Sequence, residues 1–331
     1  MEAPRNQPGP RACLRPAARP ESRQGVSASP AHAANEERLG LTLVLAAAVL
    51  WGLLGVFTAG LLRIGLDAIE IAFWRALIAG AAFGLHAFAA RTVRPFAPRA
   101  AIGTLIFAAV GVTMFYVAIA KAVDTGGISL AFILLYTAPA WVTLLARPLL
   151  GERAGLRQWS FVAIAILGVA LVSLTKGDGV TPTPAALAWG LASGLGYASY
   201  YLLGKRLLED RSPELLYGVA LPLGALGMTP FVPWSTKTPE AWALLAGLAL
   251  VSTYLAYLLY GLGLKRARAS RAVLVATIEP VLAILLAWAL FGERFGILGW
   301  VGAALVLTAA AGQGIRVGQR RNRALKGRSV A

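Results

Sequence analysis

The sequence predicts an all-α integral membrane protein of ten transmembrane helices, arranged as two inverted repeats of five. Three observations carry this prediction. Hydrophobic residues make up 58% of the 331 positions and charged residues only 14%, whereas a soluble protein uses roughly 25% charged residues. The apolar residues fall in runs of about 20, the length that crosses a ~30 Å hydrocarbon layer as a helix. The second part of the chain also repeats the first at an offset of 141 residues.

Residues 1–38 are rich in Pro, Arg, Ala and Ser. They lack apolar periodicity and read as a disordered, basic cytoplasmic tail. With no apolar core, the segment is not a secretory signal. The expected spans lie at 41–62, 68–90, 100–120, 126–149, 158–174, 184–204, 213–232, 241–264, 271–291 and 296–315. The 158–174 run is short and borrows residues from its flanks. Each span must be helical, because an open strand edge cannot face lipid. The connections are too short for a soluble domain. Residues 39–175 and 176–316 form the two repeats, and 317–331 a second basic tail.

Orientation comes from the basic residues. With the N-terminus cytoplasmic, 25 of the 31 Lys and Arg fall in inner segments and five in outer ones, at Arg63, Lys121, Lys176, Lys237 and Arg294. Arg75 lies within a span. This asymmetry places both termini inside a cell membrane. It also explains the net charge of +16 without nucleic acid, which is not an expected partner. The expected partners are a small-molecule substrate and membrane lipid, and a homo-oligomer is compatible with the composition.

The repeat is clearest over 139–159, where ten of 21 residues recur 141 positions later, among them Pro139/Pro280, Gly151-Glu152-Arg153/Gly292-Glu293-Arg294 and Trp159/Trp300. Upstream, Tyr116 through Lys121 matches Tyr260 through Lys265 after a three-residue shift. A five-helix unit is odd, so its second copy enters the membrane from the opposite side. Inverted repeats of this kind hold a substrate near the midplane and alternate access by rocking.

The residues that carry a family likeness are Tyr-Val-Ala-Ile-Ala-Lys at 116–121, Leu-Leu-Tyr-Thr-Ala-Pro-Ala-Trp at 134–141, Ile-Glu-Pro-Val at 278–281, the two Gly-Glu-Arg motifs, and Trp51-Gly52. Through them the chain resembles the drug/metabolite transporters with two EamA-type repeats, over 41–316. The resemblance implies ten helices, a central cavity lined by both halves, and no catalytic residues. It leaves open amino acids, sugars, drugs and other metabolites as cargo. Export is the expected direction.

Five residues are candidates for substrate contact: Arg75, Tyr136, Tyr200, Tyr257 and Glu279. Arg75 lies seven residues into the second span and cannot shed its charge, so it needs either a carboxylate that ties helices together or a substrate anion. Glu279 lies eight residues into the ninth span, and an acid at that depth is a candidate coupling residue; its repeat partner is Ala138. The plainer alternative is that Glu279 supports backbone freed by Pro280. Glu70 reads as a surface residue. All nine tyrosines lie within spans, and Tyr197, Tyr200 and Tyr201 share a helical face, either packing helices or lining a cavity. Pro139 and Pro280 are expected to kink their helices and gate. Gly151 and Gly292 should end helices, with Glu152 and Glu293 each facing the N-terminus of the next helix. The glycines of 190–196 allow close helix approach.

One cysteine, Cys13, and two distant histidines, His32 and His86, offer no metal set, and no cofactor is expected. A phosphate loop is missing from the sequence. A sugar-phosphate or nucleotide-sugar antiporter would want several intramembrane cations, and only Arg75 qualifies. An intramembrane enzyme would want clustered acids or histidines, yet Asp67, Asp124, Asp178 and Asp210 are scattered over separate connections.

Overall fold

Apolar runs that exclude water must close their backbone hydrogen bonds internally. The computed structural model describes residues 30–95, 97–174, 183–291 and 296–328, and every regular element among them is helical. In order these are α1 (Pro30–Gly52), α2 (Leu54–Arg63), α3 (Ala68–Ala89), α4 (Pro98–Phe107), α5 (Phe115–Leu135), α6 (Ala138–Leu150), α7 (Leu156–Leu174), α8 (Pro184–Glu209), α9 (Pro213–Met228), α10 (Pro239–Ala249), α11 (Ala256–Arg266), α12 (Ala269–Ala276), α13 (Glu279–Phe291) and α14 (Ile297–Arg328). Short π segments, Ala108–Met114 and Leu250–Leu255, join α4 to α5 and α10 to α11. Among the described residues, six helical stretches are long and apolar enough to cross a membrane, including His32–Arg63, Pro98–Gly127 and Pro239–Arg266.

Local chemistry sets the boundaries. Prolines 98, 184, 213 and 239 occupy first turns, where a missing N–H costs nothing. Asp67, Thr183 and Thr238 cap their helices through side-chain oxygens. Gly127, at φ +82, turns the chain within α5, a backbone position that Gly adopts freely. Gly151 ends α6 at φ +67. Large apolar side chains such as Phe88, Leu156 and Ile297 point outward, 76%, 86% and 83% exposed, a surface suited to lipid and not to water.

The 141-residue offset recurs in the elements themselves. Pro98 and Pro239 open matching helices, the π segments end at 114 and 255, the chain turns at 136–137 and at 277–278, and helices restart at Leu156 and Ile297. The offset holds through the tyrosines too, so Tyr116 corresponds to Tyr257, and the three-residue shift of the sequence match drops out. The packing is reciprocal. α5 packs on α8 and α1 on α11, whereas α3 packs on α9 and α7 on α14.

Several expectations are corrected. The helix of α1 begins at Pro30, inside the stretch expected to be a disordered tail, and its Glu36 and Glu37 pair with Arg266 and Arg271. At the other end α14 runs on to Arg328, past the apolar part of the helix. Glu70 is fully buried, not superficial: its carboxylate accepts from the backbone N–H and Oγ of Ser235, at 3.2 and 2.6 Å, and from Lys237. Pro139 and Pro280 do not kink continuous helices. The helices break just before them, and each proline sits in the first turn of the new helix. Glu152 does not cap the next helix in the chain. It caps α12, accepting from Ala269 N (3.0 Å), Ser270 N (3.2 Å) and Ser270 Oγ (2.9 Å). Gly292 and Glu293 lie outside the described residues.

Candidate functional site

The broken helices and the π segments converge on one cavity. α8 is rich in small residues along the face that meets α5 and α6. A Cβ on Gly194 would come within 2.7 Å of both the Leu134 carbonyl and Thr137 Oγ1, and one on Gly196 within 2.8 Å of Phe115 Cβ. That close fit presents Tyr197, Tyr200 and Tyr201 to the interior. The π segments end immediately before Phe115–Tyr116 and Ala256–Tyr257. Each inserted residue rotates the next turn around the helix axis, and Tyr116 and Tyr257 meet with hydroxyls 3.2 Å apart.

The cavity is about 330 Å³, within the range of small-molecule sites. Its wall is shared between aliphatic and aromatic side chains, the aromatic ones including Trp51, Phe115, Tyr116, Tyr200, Tyr257 and Tyr260. Trp51 meets Tyr257 edge-on at 5.7 Å, Tyr200 meets Tyr257 at 5.4 Å, and Phe115 stacks on Tyr197 at 5.7 Å. Two charged groups break this apolar surface. Arg75 comes from α3 and is 8% exposed. Its guanidinium donates to the Tyr116 hydroxyl and lies 4.6 Å from that ring's centre. Its Nε is buried with no hydrogen-bond partner, and among the described residues no carboxylate lies within ion-pairing distance of it. Glu279 opens α13, on the far side of the turn at 277–278. Tyr201 donates to the Tyr197 hydroxyl (3.2 Å), and Tyr197 donates to Glu279 Oε2 (3.4 Å). Tyr136 faces the same carboxylate.

Leu62, Ala68 and Asp124 line the mouth of the cavity and are exposed. The opposite end is shut around the start of α12. Besides Glu152, the Gln158 side chain donates to the Ser270 carbonyl, Lys205 donates to the carbonyls of Leu264 and Ala267, and Arg271 pairs with Glu37 at 2.8 Å.

Of the residues singled out in the sequence, Arg75, Tyr200, Tyr257 and Glu279 line the cavity, and Tyr136 stands behind Glu279. The salt bridge considered for Arg75 is not formed among the described residues. Tyr116 and Trp51 also line the cavity, and sequence reasoning misses both as contacts. The signal for Tyr116 is its recurrence as Tyr257 at offset 141, which the shifted match conceals.

A family model described as the EamA-like transporter family matches residues 38–174 and again 184–312. The chain belongs to this family. One similar protein, from Archaeoglobus fulgidus and named only as an uncharacterized transporter, is 30% identical and matched over 82% of this chain and 94% of its own length. A protein of Rhizobium johnstonii named riboflavin transporter is 27% identical over 82% of this chain and 89% of its own. A solved crystal structure shares the fold, with a TM-score of 0.71 at 19% identity over 82% of this chain and 96% of that one. As an EamA-like transporter, the chain takes a small molecule across a membrane, and this cavity has room for one.

Proposed function

We propose that this protein is a secondary transporter in the cell membrane, built as ten transmembrane helices in two inverted repeats. It moves a small, largely aromatic metabolite by alternating access through the cavity between the repeats. The observation that carries this reading is the site itself: a cavity of about 330 Å³, open at one end and sealed at the other, whose wall is shared by α3 and α5 of one repeat and α8, α11 and α13 of the other. Reciprocal packing supports the inverted arrangement. When helix n of one repeat packs on helix m of the other, m of the first packs on n of the second, as a two-fold axis between them requires. With both termini cytoplasmic, the mouth lies outside, and the seal around Glu152 and α12 is the cytoplasmic one.

Tyrosine and tryptophan faces supply broad apolar contact with a polar edge, which fits a flat ring system. The cargo in the name of the Rhizobium relative, riboflavin, also has one. Substrate contact is assigned to Arg75, Tyr200, Tyr257 and Glu279, with Tyr136 orienting Glu279, and coupling to Glu279. Purified protein in liposomes loaded with a labelled metabolite mixture tests this. Selective, protein-dependent passage of aromatic solutes is expected, and liposomes no more permeable than empty ones would overturn it.

A further inference from the structure

The charges in the cavity limit what can occupy it and what must accompany it. Arg75 is a permanent cation inside an aromatic box. Its Nε lacks a partner, and among the described residues its one hydrogen bond is to a neutral phenol. The acid lining the interior with it is Glu279, which senses its charge across the cavity without pairing with it. The groups facing Glu279 are the phenols of Tyr197 and Tyr136, with Tyr201 one step behind, and Arg75. Asp124 stands at the mouth, is exposed, and has its own partner in Lys121 at 3.6 Å. Asp124 is therefore not a counter-ion for Arg75.

We infer that the transported species is an aromatic anion whose carboxylate or sulfonate sits on Arg75, beside the Tyr116–Tyr257 pair, and that it enters together with one proton taken up by Glu279. The inference rests on the transport reading above and adds the cargo's charge and its coupling. An unmatched charge is costly in a site walled off from water, so the states that reorient are neutral ones. The empty cavity is neutral with Arg75 protonated and Glu279 ionised. Adding an anion leaves one negative charge in excess, and a proton from the open side, bound to a Glu279 carboxylate oxygen, removes it. Both solutes then leave at the other face, and Glu279 is ionised again. The cycle is an electroneutral proton–anion symport. With protons more abundant outside, it drives uptake, in place of the export expected from sequence. A zwitterion would fill the site with no proton bound, so proton uptake separates the two cargo types.

The test uses purified full-length protein and a probe that is charged at every pH, naphthalene-2-sulfonate, beside its cationic counterpart 2-naphthyltrimethylammonium. Binding is followed by calorimetry in buffers of different ionisation enthalpy. The sulfonate is expected to bind with one proton taken up per molecule, and its affinity should fall about tenfold per pH unit once Glu279 is ionised. Glu279→Gln should bind it without proton uptake or pH dependence. Arg75→Met should lose binding, and Arg75→Lys, which keeps the charge, should retain proton uptake at reduced affinity. Binding of the sulfonate without protons, preference for the ammonium probe, or binding of neither would overturn the inference. Liposomes that pass neutral or cationic aromatics while the sulfonate fails would leave the transport reading standing and remove this one.

Discussion

Replacing Glu152 should open the sealed end of the cavity. Its carboxylate, 9% exposed, accepts three hydrogen bonds from the start of α12, and Arg268 Nε lies 3.8 Å away. Loss of a helix cap costs about 1–2 kcal/mol, and the negative charge at the helix N-terminus adds up to about 1 kcal/mol at a partly buried site. Opening this end admits water to the same N–H groups, so part of the loss is recovered there. A net shift of about 2 kcal/mol between closed and open states is expected for Glu152→Ala, about thirtyfold in their ratio. Glu152→Gln keeps an acceptor and loses the charge, for about 1 kcal/mol and about fivefold. Gln158, Lys205 and the Glu37–Arg271 pair still hold the end, so the variants should fold. The assay is the rate at which a polar maleimide labels Ala272→Cys, a buried position one turn into α12, in a Cys13→Ser background. Unchanged rates in both folded variants would refute the idea that this cap keeps the end shut.

Stability and orientation are open to the same kind of test. Lys237→Met strands the ionised, fully buried Glu70 and should cost about 3–5 kcal/mol; the double variant with Glu70→Gln should recover most of the melting temperature, and no recovery would show that the pair is not the cause. Gly194→Val forces side-chain atoms into the Leu134 carbonyl and Thr137 hydroxyl and should cost about 1–3 kcal/mol, whereas Gly55→Ala, in a helix with open space around it, should not lower the melting temperature and should raise it slightly. An impermeant thiol reagent applied to intact cells should label Thr236→Cys and spare Asn322→Cys; labelling of the latter would reverse the assigned orientation.

Much of the fold is legible in the sequence because lipid simplifies the code. With water excluded, the length of an apolar run and the chemistry at its ends say where a helix begins and stops, as the prolines at 98, 184, 213 and 239 do here. Features decided by three-dimensional partners escape. Glu70 looks superficial from its place one turn into α3, yet a loop 165 residues later folds over it through Ser235 and Lys237. Glu152 sits beside the start of α7, yet it reaches α12, whose first N–H groups have no acceptor of their own. The breaks before Pro139 and Pro280 read as kinks because a proline in sequence does not reveal whether it interrupts a helix or begins one. The site is half legible. Isolated charges in apolar runs point to Arg75 and Glu279, but nothing local reveals that Arg75 meets Tyr116, because that contact depends on the rotation a π segment introduces.

The two repeats agree in scaffold and differ in chemistry, and the difference falls where function needs it. Tyr116 and Tyr257 correspond at offset 141, come directly after matching π segments and touch hydroxyl to hydroxyl. The charges are not duplicated. Glu279 stands where the first repeat has Ala138, and at the same offset Arg75 corresponds to Leu216. A duplicated pair would place two guanidinium groups and two carboxylates in about 330 Å³, and they would pair with one another and leave no charge for a cargo to satisfy. One cation from one repeat and one acid from the other, held apart by tyrosines, leave each charge open to an incoming group. In the proposed alternating-access cycle, the matched half of the structure would give two opposite-facing shapes of similar energy. The unmatched half would make the occupied and empty forms of the cavity chemically different, and in the proposed cycle that difference couples one solute to another.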